Sequence, residues 1–185
     1  MPSNSSRQQV ILVDEQDNPI GVADKLKAHQ NGAQLHRAFS IFIFNHKGQT
    51  MLQKRALGKY HSEGKWSNTC CSHPAVGESV LESAHRRLKE EMGFDCDLSK
   101  QFHFVYKAEV GNGLTEWEYD HVLFGVYERA PELNKEEASD YAWMSLEDLK
   151  ADIEKNPDKY TAWLRICINK VIEEYAKFAN KNNER

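Results

Sequence analysis

One segment of the chain, residues 38–45 with the sequence AFSIFIFN, restricts the fold more than any other. Aromatic and β-branched side chains dominate it, and both are enriched in β-strands. The residues His46-Lys47-Gly48 follow as a turn, and residues 50–53 resume the strand pattern. The pattern predicts a β-hairpin and the start of a meander. A sheet is therefore expected at the centre of the fold.

Further patterns predict strands and helices around this hairpin. Apolar residues recur at three- and four-residue steps from Ser79 to Met92, which predicts an amphipathic helix that Gly93 can end. A second helical stripe covers residues 160–178, and residues 55–67 read as a long loop of the kind that often carries function. Additional strands are predicted at residues 9–14, 102–110, 117–128 and 142–144, with turns at 17–19 and 111–113. Strands covered by helices indicate a mixed α/β (α+β) layered domain.

Length and composition narrow the class of protein. The 185 residues, 40% of them apolar, suffice for one sizeable core and indicate a single domain over 1–185, with polar ends at about 1–7 and 180–185 expected to fray. No stretch nears the roughly 20 apolar residues that span a bilayer, and the polar start lacks the apolar core of a secretory signal. A cytoplasmic protein without a membrane partner is therefore expected. The net charge of −4 argues against nucleic-acid binding.

The segment 72–94 resembles a degenerate Nudix box, a loop-helix-loop in which helical carboxylates hold divalent cations against a diphosphate. It contains Glu78 and then the run RRLKEEMGF from Arg86. Two residues depart from the motif: Ser72 replaces its first glycine, and Arg87 replaces a glutamate of its Arg-Glu-x-x-Glu-Glu core. Because divalent cations favour several oxygen ligands, the missing glutamate should weaken a hydrolytic metal cluster. An ordinary solvated helix face is the alternative reading.

Three histidines and two glutamates form a second set of candidate metal ligands: His29, His36, His73, Glu116 and Glu118. Strand side chains alternate between faces, so Glu116 and Glu118 point to the same side. Two carboxylates aimed together repel unless a cation or a shared proton relieves them. Three imidazoles with two carboxylates suit a borderline ion such as Zn²⁺, Mn²⁺ or Fe²⁺. The sequence leaves open whether the five residues meet, since each histidine could instead lie at the surface or be hydrogen-bonded.

Three motifs in a fixed order resemble the type 1 isopentenyl-diphosphate isomerases of the Nudix superfamily. They are His29-x6-His36-x-Ala38-Phe39-Ser40, residues 67–74 (SNTCCSHP) and residues 116–122 (EWEYDHV). The similarity extends from about residue 10 to residue 163. It implies an enzyme of isoprenoid biosynthesis that interconverts isopentenyl and dimethylallyl diphosphate by protonation and deprotonation at carbon. The substrate would be a small isoprenoid diphosphate, and the enzyme is expected to be a monomer.

The resemblance also implies a role for each matching residue. One Mn²⁺ or Zn²⁺ would be held by the five candidate ligands His29, His36, His73, Glu116 and Glu118. One Mg²⁺ would be bound with the substrate diphosphate by Glu91 and the backbone carbonyl of Cys71. Cys71 and Glu118 match the catalytic pair. The substrate-binding residues would be Lys25, Arg55, Lys59, Arg87, Tyr106 and Trp163.

The two adjacent cysteines are not equivalent. Strand alternation sends Cys70 and Cys71 to opposite faces, so only one of them can line a pocket. The His-Pro that follows Cys71 favours Cys71, and Cys70 is then expected to be a small buried apolar residue. In a reducing compartment both are expected to be free thiols.

Two other functions fit parts of the pattern. A Nudix-type diphosphohydrolase is the enzymatic alternative, but Arg87 and the pair Cys71 and Glu118 count against it. A metal-regulated binding module is the non-enzymatic alternative. Structural zinc sites favour closed tetrahedral sets rich in cysteine, unlike this set of histidines and glutamates.

Overall fold

A computed structural model describes residues 8–183 of the chain. Its strands are β1 (Gln9–Val13), β2 (Pro19–Asp24), β3 (His36–Phe44), β4 (Gln49–Arg55), β5 (Trp66–Ser67), β6 (Cys70–Ser72), β7 (Leu98–Gly111), β8 (Leu114–Val126) and β9 (Ala138–Ser145). Its helices are α1 (Lys25–Ala28), α2 (Val80–Met92), α3 (Leu146–Lys155) and α4 (Ala162–Asn183), with a 3-10 turn at Pro157–Lys159. The predicted fraying of residues 1–7 and 184–185 lies outside the described residues, whereas residues 180–183 continue α4.

Strand β3 lies at the centre of a nine-stranded mixed sheet. Strand β8 runs parallel to β3 over its whole length, from the pair His36 and Glu118 to the pair Phe44 and Val126. Strand β3 also pairs with β1 at its start, with β6 in its middle and with β4 at its end. Strands β3 and β4 therefore pair as the predicted hairpin only next to the turn, and the predicted meander is wrong. Because β6 takes the place beside β3, β4 diverges and pairs with β9 and β5 instead.

Helices cover both faces of this sheet, which explains why β3 is apolar at almost every position. On one face Phe39, Ile41 and Ile43 pack with residues of α2. On the other face Phe42 and Phe44 pack with residues of α3 and α4. The period-two alternation of β3 thus serves two separate cores. The predicted mixed, helix-covered sheet is confirmed.

The helix predicted from Ser79 to Met92 is confirmed at both ends. The Ser79 side chain accepts from the backbone N–H of Glu82, and Glu82 in turn accepts from the N–H of Ser79, which completes a capping box. Gly93 ends the helix with a φ of 73°. A Cβ at that position would lie 2.4 Å from the carbonyl oxygen of Glu132, so both the backbone angle and the space require glycine.

Several elements were not predicted. Strand β2 is an edge strand with no fully buried residue, and α1 has four residues, so neither carries a periodic apolar signal. Helix α3 buries Leu146, Leu149 and Ile153. This apolar stripe is short and follows directly after a strand, so it was not recognised as helical. Helix α4 runs to Asn183, past the predicted end near residue 178. Within the described residues, none of the helices is long and apolar enough to cross a bilayer.

Polar contacts at Asp17 attach the β1–β2 hairpin to the sheet. Between β1 and β3 the ladder contains one register pair, Leu12 with His36. Asp17 adds to it by accepting from Nε of Arg37 at 2.7 Å and by lying 2.8 Å from Nε2 of His121. Because β2 leads directly into α1, these contacts also fix the helix from which Lys25 projects.

Replacing His121 with glutamine should reduce the acid sensitivity of the fold. Burial lowers the pKa of His121 to about 4, further helped by Lys100 and opposed by Asp17. Below pH 6.5 the unfolded chain therefore binds more protons than the folded protein, and stability is lost as the pH falls toward 4. Urea unfolding should show wild type losing stability relative to His121→Gln across that window. A constant difference between the two proteins would contradict this assignment.

Candidate active site

One cavity collects most of the residues that the sequence singled out. Eleven of the thirteen predicted site residues line it: Lys25, Arg55, Lys59, Cys71, His73, Arg87, Glu91, Tyr106, Glu116, Glu118 and Trp163. The other two, His29 and His36, are fully buried and lie 2.8 and 3.7 Å from Oε2 of Glu116. The long-range pairing of β3 with β8 and β6 brings these distant segments together.

The five candidate metal ligands form one compact group. One ligand atom from each of His29, His36, His73, Glu116 and Glu118 lies within 4.8 Å of all the others. Register places His36 directly opposite Glu118 on the neighbouring strand. The group could hold a metal ion, and the five side chains, whose meeting the sequence left open, lie together.

The tautomers of the histidines fit a metal site. Nδ1 of His29 contacts the carbonyl of Lys25, and Nδ1 of His36 lies 2.8 Å from the carbonyl of Gln34. A carbonyl can only accept, so each Nδ1 carries a proton, and the neutral form of each ring presents a lone pair at Nε2. Nε2 of His36 nevertheless lies 3.2 Å from Nε2 of His73. Imidazole nitrogens that converge in this way are the arrangement that a divalent ion satisfies.

The charge states of the group agree with this reading. Burial alone would raise the pKa of Glu116, but the imidazoles of His29 and His61, each 2.8 Å from one of its oxygens, hold it well below its usual range. Burial lowers the pKa of His73 to about 4, against the influence of Glu118. The group therefore presents an ionised carboxylate and a neutral imidazole, the forms in which these side chains bind metals.

His61 belongs to the site, although the sequence gave no reason to choose it. It lies in the loop between β4 and β5, where no periodic pattern marks a residue as buried. Its side chain is 2% exposed, and its Nε2 lies 2.8 Å from Oε1 of Glu116. Since His29 contacts the other oxygen of Glu116 at 2.8 Å, both oxygens of this carboxylate have an imidazole partner.

The two cysteines separate as predicted by strand alternation. Cys71 lines the cavity, whereas Cys70 is fully buried in the core beneath α2. Burial raises the pKa of the Cys71 thiol to about 12, partly offset by the nearby guanidinium of Arg55. Glu118 lines the same cavity, and one of its oxygens accepts from the hydroxyl of Tyr106 at 2.7 Å. A protonated thiol and a carboxylate thus share one space.

Four cations also line the cavity: Lys25, Arg55, Lys59 and Arg87. Burial and then repulsion from Lys59 lower the pKa of Lys25. Arg87 contacts Glu91 at 2.6 Å and Glu90 at 2.7 Å, and Lys59 forms an ion pair with Glu137. This concentration of positive charge is suited to a multivalent anion.

Asn68 connects Trp163, which lines the cavity, to β6, the strand that carries the two cysteines. The indole N–H of Trp163 is shared between Oγ of Ser67 at 3.0 Å and Oδ1 of Asn68 at 3.1 Å. The amide of Asn68 donates to the carbonyls of Ile41 and Cys70. The Trp163 ring is therefore held in one orientation, with the guanidinium of Arg55 5.4 Å from its centre.

Comparison with known domains defines the class of protein. The NUDIX domain matches residues 34–164. The structure resembles that of DR0079 from Deinococcus radiodurans with a TM-score of 0.74 at 18% identity, covering 88% of this chain and 98% of the other. It resembles the MutT protein of Methanosarcina mazei Go1 with a TM-score of 0.59 at 21% identity, covering 80% and 95%. The predicted Nudix-like fold is confirmed, and it carries a buried group able to hold a metal ion.

Relatives with much higher sequence identity define the family more narrowly. Isopentenyl-diphosphate Delta-isomerase 2 of Aromatoleum aromaticum is 55% identical over 89% of this chain and 86% of its own. Its namesake in Photorhabdus laumondii is 52% identical over 91% and 97%. The isopentenyl-diphosphate Delta-isomerase of Pectobacterium atrosepticum is 44% identical over 95% and 97%. This chain belongs to the isopentenyl-diphosphate Delta-isomerase family.

Replacing His61 with phenylalanine should weaken metal binding without removing a residue of the five-membered group. Phenylalanine keeps an aromatic ring, slightly larger than the imidazole, but Oε1 of Glu116 loses its partner at 2.8 Å. Partners of this kind orient the ligand, and their loss costs about 10–100-fold in metal affinity. Titration of the metal-stripped protein with Zn²⁺ or Mn²⁺ measures the change.

Two variants control this experiment. His61→Gln retains an N–H donor and should recover part of the affinity, whereas His46→Phe alters a side chain that is 82% exposed and should change nothing. Equal affinities in wild type and His61→Phe would show that His61 does not support Glu116.

Proposed function

We propose that this protein interconverts isopentenyl diphosphate and dimethylallyl diphosphate by adding a proton to one carbon and removing a proton from another. One observation carries the proposal: the Cys71 thiol and the Glu118 carboxylate line the same cavity as four cations. An allylic shift by this route needs an acid and a base at the hydrocarbon, and the anion needs cations at its other end. The whole chain is proposed to act as one domain and as a monomer.

The catalytic pair is assigned to Cys71 and Glu118. Each can carry a proton, so one can donate to the alkene while the other accepts from the neighbouring carbon. We assign one Mn²⁺ or Zn²⁺ to the group of His29, His36, His73, Glu116 and Glu118, where its charge would make a proton on Glu118 easier to release. The hydroxyl of Tyr106 donates to Oε2 of Glu118 and orients that carboxyl group.

The diphosphate is assigned to the cationic part of the cavity. Lys25, Arg55, Lys59 and Arg87 all line it, and together they can contact both phosphoryl groups. Glu91 and the backbone carbonyl of Cys71 are proposed to hold one Mg²⁺ that accompanies the substrate. The thiol and this carbonyl both belong to Cys71 on β6, so their relative position is fixed.

The hydrocarbon end is assigned to the wall formed by Trp163. Its ring faces the cavity, 4% exposed, and is fixed through its indole N–H by Ser67 and Asn68. An aromatic face can stabilise a carbocation-like intermediate by up to about 2 kcal/mol where water is excluded. The fixed ring supplies that face without offering a nucleophile to the intermediate.

The contacts of Arg87 disfavour the alternative function, a diphosphohydrolase. Its guanidinium contacts the two glutamates of the Nudix box, Glu90 at 2.7 Å and Glu91 at 2.6 Å. A glutamate in place of Arg87 would add an oxygen ligand for the several metal ions of a hydrolytic cluster, whereas arginine supplies none and leaves ligands for fewer ions. Cleavage of the diphosphate by a metal cluster on this helix is therefore disfavoured.

The purified protein should convert isopentenyl diphosphate to its allylic isomer when Mg²⁺ is present. Product formation is followed by mass spectrometry after acid treatment, and free phosphate is measured in parallel. Isomerisation without phosphate above background is the expected result. Release of phosphate or diphosphate without isomerisation would instead identify a hydrolase.

The adjacent cysteines provide a matched pair of variants for this assay. Cys71→Ala should lower kcat by at least about 100-fold, the size of a general acid–base contribution. Cys70→Ala should retain most of the activity, because Cys70 lies in the core under α2. The opposite result would move the catalytic role to Cys70.

A further inference from the structure

Glu137 occupies a place in the cavity that the proposed function leaves unexplained. Oε2 of Glu137 forms an ion pair with Lys59, and Oε1 lies 3.3 Å from Nη2 of Arg87. All three side chains line the cavity. One carboxylate thus contacts two of the four cations assigned to the diphosphate.

The fold fixes Glu137 at this position. Its N–H donates to the carbonyl of Asn134, and its carbonyl accepts from the N–H of Ala56. The next residue, Ala138, begins β9 and pairs with Arg55 on β4. The carboxylate therefore enters the cavity from the start of a paired strand.

The other two cations have different surroundings. The ammonium of Lys25 lies 4.9 Å from the centre of the Tyr60 ring, and Arg55 lies over Trp163. Neither forms an ion pair with a carboxylate of the described residues. Among the described residues, the four cations thus divide into a pair without a carboxylate partner, Lys25 and Arg55, and an occupied pair, Lys59 and Arg87.

We propose that Glu137 is an internal stand-in for the substrate diphosphate, which must displace it from Lys59 and Arg87 in order to bind. The inference rests on the proposed function, in which these cations hold the diphosphate. Before the diphosphate binds, Glu137 neutralises Lys59 and shares Arg87 with Glu90 and Glu91. A diphosphate whose first phosphoryl group binds Lys25 and Arg55 can place its second phosphoryl group against the occupied pair, where it replaces the carboxylate. Each binding event then includes the cost of breaking the Glu137 contacts.

The charge of Glu137 is consistent with this exchange. Burial acts to raise its pKa, but the hydrogen bond from Lys59 and the nearby charge of Arg87 hold it below the usual value. The carboxylate is therefore ionised at neutral pH. It would repel a diphosphate that entered without displacing it.

Calorimetric titration with inorganic diphosphate, without added Mg²⁺, tests the exchange. Glu137→Gln should lower the Kd by about tenfold, since the diphosphate no longer displaces a carboxylate. Lys59→Ala should weaken binding more in the Glu137→Gln background than in wild type. In that background Lys59 has no ion pair with residue 137 to give up before it contacts the diphosphate. Glu136→Gln removes the same charge from an exposed neighbouring side chain and should leave the Kd unchanged. An equal or higher Kd in Glu137→Gln would overturn the inference.

A structure of the wild-type protein with inorganic diphosphate provides a test that needs no variant. The Lys59–Glu137 distance should exceed the roughly 4 Å of an ion pair, with phosphate oxygens in its place. An intact Lys59–Glu137 pair beside bound diphosphate would overturn the inference.

The isomerisation assay separates this inference from the proposed function. Turnover by wild type without tighter binding in Glu137→Gln refutes the exchange alone. Tighter binding without any isomerisation refutes the proposed function and leaves the exchange standing.

Discussion

The structure is organised around a buried group of carboxylates and imidazoles that could hold a metal ion. Two carboxylates, Glu116 and Glu118, project side by side from β8, and imidazole nitrogens from three other segments converge on them. Carbonyls fix the protons of His29 and His36 on Nδ1, which turns their lone pairs inward. Repulsion within such a group is large at low exposure, and a divalent ion relieves it. This group forms where β3 and β8 pair in parallel.

The rest of the cavity follows from this constraint. Glu118 has one oxygen 2.9 Å from Nε2 of His73 and the other bound by the hydroxyl of Tyr106, so its carboxylate is held rigidly in the cavity. The cations form the remaining wall, where Glu137 and Glu91 partly neutralise them. A small anionic substrate would therefore be fixed at its charged end while its hydrocarbon end faces acid–base groups and Trp163. Rigid positioning of this kind is the main contribution that a protein makes to proton transfer.

Local patterns in the sequence predicted much of the fold but not its topology. Helix α2 was predictable to the residue because Ser79 and Gly93 are strong local signals at its ends. The pairing of β6 with β3 was not, because a three-residue strand is too short to carry a pattern that indicates its partner strand. Among site residues, the five candidate ligands were identified by their chemistry and by resemblance, and their roles remain proposals. His61 and Glu137 were missed because they lie in irregular segments, where burial and contacts arise only from the folded chain.

The fate of solvent hydrogen tests the central claim most directly. Turnover of isopentenyl diphosphate in D₂O, followed by mass spectrometry of the recovered five-carbon diphosphates, reports whether protons are added to carbon from exchangeable groups. If Cys71 and Glu118 exchange protons with the substrate, deuterium should appear bound to carbon in dimethylallyl diphosphate and, after reversal, in isopentenyl diphosphate. Formation of dimethylallyl diphosphate without any deuterium on carbon would contradict the proposed chemistry and the roles of both residues.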